Sequence, residues 1–263
     1  MLLSIVILSH ERPEMLARAI NSLGIFQDQS QAEVIVCDNS KAHYHAVRRL
    51  EHDFPWIRFV FKPGGTLIDN FQSALRTVNG NHFSIFHDDD FVSFHQKDVE
   101  KLLEILDSQD SIEKLFVFNS YGISCDYDYF CKANTSIRSP SSAYCIPYTL
   151  PFFPAWVYPR SNRVLELLKS AMVDKHPPFE KYGKYFDIIL IEKLLEMYEY
   201  SFSVLPGSYF HVEHPQSDGL TLSIDSKVNL VLHVLRVSSP VQNLRFILYW
   251  LANIPKKVVL RLL

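Results

Sequence analysis

Three consecutive carboxylates, Asp88, Asp89 and Asp90, follow the apolar run Phe83-Ser84-Ile85-Phe86 and His87. Adjacent like charges repel, so the triplet costs stability unless water or a cation offsets it. As a solvated turn it would only end a strand. At the end of a buried strand it would suit a hard divalent ion, Mg²⁺ or Mn²⁺. Such an ion takes one or two carboxylates and fills its shell with water and phosphate oxygens. The second reading predicts a metal-bridged diphosphate site with Asp88 and Asp90 as ligands and Asp89 as the alternate. Removing one of three repelling charges, as in Asp90→Asn, should then abolish the chemistry and leave stability unchanged or raised.

The elements before the triplet decide between these readings. Leu3 to Leu8 is a continuous apolar run, as in a strand buried on both faces. Pro13 suits the first turn of a helix, whose apolar face is Leu16, Ala19, Ile20 and Leu23. Glu33 to Cys37 and Arg58 to Phe61 read as further strands, with a helix over His43 to Glu51 between them. Phe71, Ala74, Leu75 and Val78 mark a third helix before the strand that ends in the triplet. Strand and helix alternate, which implies βαβ units and a mostly parallel sheet. Ligands of such sheets sit beyond the carboxyl ends of the strands. The polar residues there are Ser9 to Arg12, Asp38 to Ser40, Gly64-Gly65 and Asp88 to Asp90. Four strand ends therefore meet on one edge, which favours a ligand site over a solvated turn.

Composition is that of an ordinary globular protein, 48% hydrophobic and 21% charged over 263 residues. Cys37, Cys125, Cys131 and Cys145 show no close pairing, so a reducing compartment is expected, with Cys37 a buried thiol. The N-terminus lacks a basic segment before its apolar run, so no signal peptide is expected. No apolar run reaches the ~18–20 residues of a membrane span. Net charge is −3, yet residues 227–263 carry six Lys and Arg and no acid. That asymmetry assigns the tail a partner of its own.

Later elements are a helix through Val99 to Leu106, a strand at Leu115 to Phe118, and helices through Val164 to Ala171 and Tyr185 to Tyr198. Residues 123–153 lack periodicity and read as irregular. Ser201–Leu205 and Ser208–Val212 read as two short strands around Pro206-Gly207.

Ser4 to Glu14, with Ser9-His10-Glu11-Arg12-Pro13 as its loop, resembles the opening of the GT-A fold, family 2 glycosyltransferases. Glu33 to Ser40 is similar to their second strand. Gly65, Asn70, Ala74 and Gly80 resemble the run into their Asp-x-Asp motif, here at Phe83 to Asp90. Phe179 to Leu190 and Tyr209 to His214 resemble later segments. Three positions depart from the pattern: His10 and Glu11 replace an aromatic residue and Asn, His87 precedes the triplet, and Phe186 replaces a Glu before Asp187.

The resemblance implies a GT-A type α/β fold, a Rossmann-like sheet flanked by helices. It implies a donor half at residues 1–120, an acceptor half at 121–222 and a helical amphipathic tail at 223–263. It implies inverting, metal-dependent transfer of a sugar from a nucleotide-diphosphate donor to a glycan or lipid-linked acceptor, in surface polysaccharide synthesis. Donor binding then falls to Ser9, Glu11, Arg12, Asp38, Asn70, Asp88 and Asp89. Asp88, Asp90 and His214 would hold Mg²⁺ or Mn²⁺, Asp187 would be the base, and Trp156 would stack on the acceptor. Each has a plainer role available: Asp38 as a helix cap, Asp187 as an acid on a helix dipole, Trp156 as a core aromatic.

The tail's basic residues and its stripe Leu244, Ile247, Leu248 and Leu251, beside Tyr249 and Trp250, suit an anionic membrane surface. Packing on the core or a homodimer is the alternative. A cytoplasmic enzyme, peripheral on the inner face of the membrane, is expected, with no nucleic-acid partner. The competing functions are a non-catalytic binding protein for nucleotide sugars or glycans on the same fold, and nucleotidyl transfer. The latter would show a glycine-rich loop after the first strand, and Ser9 to Pro13 has no glycine.

Overall fold

The computed structural model describes residues 1–124, 129–132, 153–173, 186–199 and 201–213. The chain opens with β1 (Leu3–Ser9), α1 (Pro13–Ser22), β2 (Ala32–Asp38), α2 (Tyr44–Asp53), β3 (Arg58–Phe61), α3 (Leu67–Thr77) and β4 (His82–His87). It continues with β5 (Phe91–Ser93), α4 (Gln96–Asp107), β6 (Leu115–Ser124), β7 (Tyr129–Lys132), β8 (Trp156–Pro159), α5 (Asn162–Val173), α6 (Phe186–Met197) and β9 (Phe202–Glu213).

One curled sheet runs in the order β3-β2-β1-β4-β8-β6-β9-β5, with β7 on β6. β3, β2, β1 and β4 pair in parallel, as the alternating pattern requires. β1 is buried along its whole length, and its neighbours on the two sides differ. The chain winds outward from β1 to β3, then returns to place β4 on the other side. The ends of β1 and β4 thus flank the point where winding reverses, where open α/β sheets bind ligands. Beyond β4 the directions mix: β8 is antiparallel to both neighbours, while β6 and β9 are parallel.

Local chemistry fixes how β4 is delivered. Thr66 caps α3 by accepting from the N–H of Asp69 at 3.1 Å, and the Asp69 carboxylate accepts in return from the N–H of Thr66 at 2.9 Å. This reciprocal pair satisfies two of the helix's free donors. At the other end, the turn into β4 is tied to β1. The buried Ser4 hydroxyl accepts from the N–H of Gly80 at 2.8 Å and donates to Glu33 Oε1 at 2.6 Å. A Cβ on Gly80 would stand 2.7 Å from Ser4 N and from His82 O, so only glycine lets the chain pass this close to β1.

β9 corrects the expectation of two short strands. It is one strand, and its register on β6 jumps from Phe118–Leu205 to Asn119–Ser208. Pro206 and Gly207 are the extra residues of a bulge, and Gly207 has φ +93°. Within residues 123–153, expected to be irregular, β6 runs to Ser124 and pairs with β7, and the rest, apart from Phe153, lies outside the described residues. Large aromatics fill the centre of the sheet: Trp156, Tyr158, Tyr209, Phe71, Phe83, Phe116 and Phe118 are fully buried. Cys37 is a buried free thiol as expected, and burial pushes its pKa up to about 12.

Candidate active site

The carboxyl ends of β1, β2 and β4 bring Ser9, Asp38 and the acidic triplet together. Asp38 is fully buried and makes its own turn. Its carboxylate accepts from the N–H of Ser40 at 3.0 Å and from the Ser40 hydroxyl at 2.8 Å. Burial raises its pKa, against the pull of Ser40 and Ser9. Asn39 links two neighbouring loops, donating to Gly65 O at 2.7 Å and lying 3.0 Å from His10 Nδ1. Asn70, buried on α3, donates to Ser9 O at 3.1 Å, and its Oδ1 has no hydrogen-bond partner among the described residues.

Glu11 stands in the left-handed region, at φ 57°. Its backbone N–H donates to the Ser40 hydroxyl at 2.7 Å. Its carboxylate accepts from the N–H groups of Lys41, Ala42 and His43 at 2.6, 2.9 and 2.8 Å. These donors lie just ahead of α2, so Glu11 ties the loop after β1 to the turn that leads into that helix. Slight burial raises its pKa, but the three N–H groups and His43 outweigh that and bring it down to about 2. Glu11, expected at the nucleotide, joins the loops that frame Asp38.

The three acids have three different environments. Asp88 is fully buried, with Oδ2 accepting from the N–H of His10 at 3.0 Å and Oδ1 2.7 Å from Arg12 Nη2. Burial pushes its pKa up to about 7, while Arg12 pulls it down and Asp89 adds to the rise. Asp89 Oδ2 lies 2.7 Å from the other arm of Arg12, and Arg18 donates to the Asp89 carbonyl. Burial works against the Arg12 charge, but Asp88 and Asp89 outweigh it and raise its pKa. Asp90 has a fully buried side chain that faces β9. It accepts from the Tyr209 hydroxyl, from His211 Nδ1 at 3.0 Å and from the N–H of Val212 at 3.3 Å. Burial, then the Asp90 charge, raises the Tyr209 phenol well above its usual pKa.

One ligand atom from each of His87, Asp89 and Asp90 lies within 4.8 Å of the others. Two carboxylates with an imidazole are a donor set that suits Mn²⁺ or Mg²⁺, although both carboxylates are buried. Asp88 is not in this group: it is turned inward onto Arg12 and His10. His87, noted in the sequence only as a departure, is in it. Tyr209 and His211, which hold Asp90, were not expected in the site. The signal for them was a Tyr-x-His alternation that places both side chains on one face of a strand. Trp156 is placed elsewhere than expected. It is fully buried in β8, edge-to-face with Phe202 at 5.2 Å, which is a core position and not an acceptor surface. Asp187 is the second residue of α6, but its side chain lies outside the described residues, as do His214 and the whole tail.

Residues 4–126 match the family model for glycosyl transferase family 2. No curated protein matches the chain in sequence. Among solved structures, the 1–349 fragment of S. aureus TarS in complex with UDP-GlcNAc aligns with a TM-score of 0.57 at 14% identity, over 95% of this chain and 72% of that one. The complex with UDP gives 0.56 at 15% identity, over 95% and 71%. A further TarS 1–349 structure gives 0.52 at 14%, over 81% and 60%, so the chain spans about two thirds of these fragments' length. At such identities the likeness is one of fold. Residues 4–126 thus match glycosyl transferase family 2, and the fold around them is similar to that of the TarS glycosyltransferase structures.

Proposed function

We propose that the protein transfers a sugar from a nucleotide-diphosphate donor to a glycan or lipid-linked acceptor, with a divalent cation and with inversion, in surface polysaccharide synthesis. The observation that carries this is the His87, Asp89 and Asp90 group at the switch point of the sheet, beside Asp38 and within the family-matched residues. Asp38, Ser9 and the Asn70 amide oxygen offer polar groups for the nucleotide. His87, Asp89 and Asp90 would hold Mg²⁺ or Mn²⁺, with His214 as a further ligand. The ion would supply positive charge for the leaving diphosphate. Asp187 would take the proton of the acceptor hydroxyl as its oxygen attacks the anomeric carbon. The bond from that carbon to the diphosphate oxygen breaks on the opposite face, which inverts the centre. Arg12 keeps the cluster from carrying three uncompensated charges.

The basic tail is proposed to hold the enzyme on an anionic membrane surface, peripheral to the inner face, with self-association as its other use. Among the described residues no helix is long and apolar enough to cross a membrane. UDP-linked sugars are the first donors to test, because two of the similar TarS structures are complexes with UDP-GlcNAc and UDP. The experiment is a binding and hydrolysis screen of nucleotides and nucleotide sugars with and without Mn²⁺. Metal-dependent binding of one nucleotide class, with slow release of its sugar to water, is expected. Binding without any hydrolysis or transfer would instead indicate a non-catalytic binder, and no binding at all would refute the reading.

A further inference from the structure

Arg12 is a cation already inside the acid cluster. Its two arms reach two different acids, Nη2 to Asp88 Oδ1 and Nη1 to Asp89 Oδ2, each at 2.7 Å. The two acids differ in what else they can do. The Asp88 side chain is wholly enclosed, and its second oxygen is committed to the N–H of His10. The Asp89 side chain is 11% exposed and belongs to the group with His87 and Asp90. The same carboxylate therefore serves the guanidinium and would serve a metal ion. Two cations drawn to one carboxylate repel each other, more so where protein excludes water.

We propose that Arg12 and the divalent cation compete for Asp89. In the metal-free protein Arg12 closes the cluster. When the cation enters, Arg12 gives up Asp89 and keeps Asp88, and its released arm becomes a second positive group for the donor's diphosphate oxygens. Metal and nucleotide diphosphate then bind with positive coupling, because the cost of displacing Arg12 is recovered only when an anionic oxygen takes the free arm. This inference rests on the metal-dependent reading above and assigns Arg12 a part in it that neither the metal nor the base supplies.

The test is a Mn²⁺ titration of the full chain, followed by the electron paramagnetic resonance signal of free Mn²⁺, with and without UDP. Wild type, Arg12→Gln and Arg12→Lys are compared. Without UDP, Arg12→Gln should bind Mn²⁺ at least about tenfold more tightly than wild type, since a repelling charge is gone. UDP should tighten Mn²⁺ binding to wild type by at least about tenfold and to Arg12→Gln by clearly less. Lysine keeps a charge for Asp88 but has one ammonium in place of a two-armed fork, so Arg12→Lys should also lose most of the coupling. Should Arg12→Gln fail to fold by circular dichroism, Arg12→Lys decides by the same coupling criterion. If wild type binds Mn²⁺ and the variants bind it no more tightly and keep the full effect of UDP, the competition is refuted and the metal reading stands. If wild type binds no Mn²⁺ with or without UDP, the metal reading falls and this inference with it.

Discussion

Asp90→Asn separates two accounts of the acidic triplet. From the sequence alone, removing one of three repelling charges should leave stability unchanged or raise it. The structure reverses that sign. The buried Asp90 carboxylate accepts from the Tyr209 hydroxyl on Oδ2, and from His211 Nδ1 at 3.0 Å and the N–H of Val212 at 3.3 Å on Oδ1. A hydrogen bond to a charged acceptor contributes about 1.5–3 kcal/mol, and a neutral one about half that. In the variant, an NH₂ group facing the Tyr209 hydroxyl forces it to turn and accept, and the donors on Oδ1 face a neutral carbonyl. Against this stands relief of repulsion from Asp88 and Asp89. Both already face Arg12 at 2.7 Å, so the relief is on the order of 1 kcal/mol. The net expectation is a loss of about 1–3 kcal/mol. Urea unfolding at neutral pH with chelator present measures it without a metal contribution. Tyr209→Phe should cost a similar amount, and the double variant should cost less than the sum by at least about 0.5 kcal/mol, because both remove one contact. An Asp90→Asn protein as stable as wild type or more so, or strict additivity with Tyr209→Phe, would refute the hydrogen-bonded account.

Three further outcomes follow from the same geometry. Glu11 has a pKa lowered to about 2, so its stabilising effect is complete above its unfolded pKa near 4.5 and is lost as pH falls through about 2. The group is partly exposed, so solvent screening leaves about 1 kcal/mol, and Glu11→Gln should flatten the fall in stability between those two values. Gly207→Ala would set a Cβ 2.1 Å from Phe94 Cε1 at a φ of +93°, so thermal unfolding should show a loss of more than about 2 kcal/mol; an unchanged Tm would mean that the bulge is not built as described. Asp187→Asn should lower kcat by at least ~10²-fold with donor affinity little changed, and a matching collapse of donor affinity would place Asp187 in the nucleotide site or the fold instead.

The donor-side sheet was legible because its strands are buried on both faces and announce themselves as unbroken apolar runs. β1, β2 and β4 each end in a polar group, so the edge where a ligand would sit could be read without a structure. β5, β7 and β8 were missed for a physical reason. They have three or four residues each, too few to show a period, and β8 follows Pro154 closely and ends on Pro159. The misplacement of Trp156 follows from that: in an unrecognised strand a large aromatic looks available, whereas between β4 and β6 it is core. Glu11 shows another limit. A carboxylate at a strand end looks like a ligand, and only the position of α2 reveals that three backbone N–H groups claim it.

The acid cluster shows best why residue types alone could not settle the site. In sequence the three carboxylates are equivalent neighbours. In the fold each meets a different partner from a different distance along the chain. Asp88 meets Arg12 and the backbone of His10 from the loop after β1. Asp89 shares the same Arg12 and remains partly open. Asp90 is held by Tyr209 and His211, which reach it only because the bulge at Pro206 and Gly207 shifts the register of β9 by two residues. The cluster is thus balanced by the protein's own groups before any ion enters. An entering cation meets acids that are already engaged, Asp89 by Arg12 and Asp90 by Tyr209, His211 and the N–H of Val212. On the proposal above, Arg12, 77 residues from Asp89 in sequence, would set the affinity of the site for metal together with the ligands.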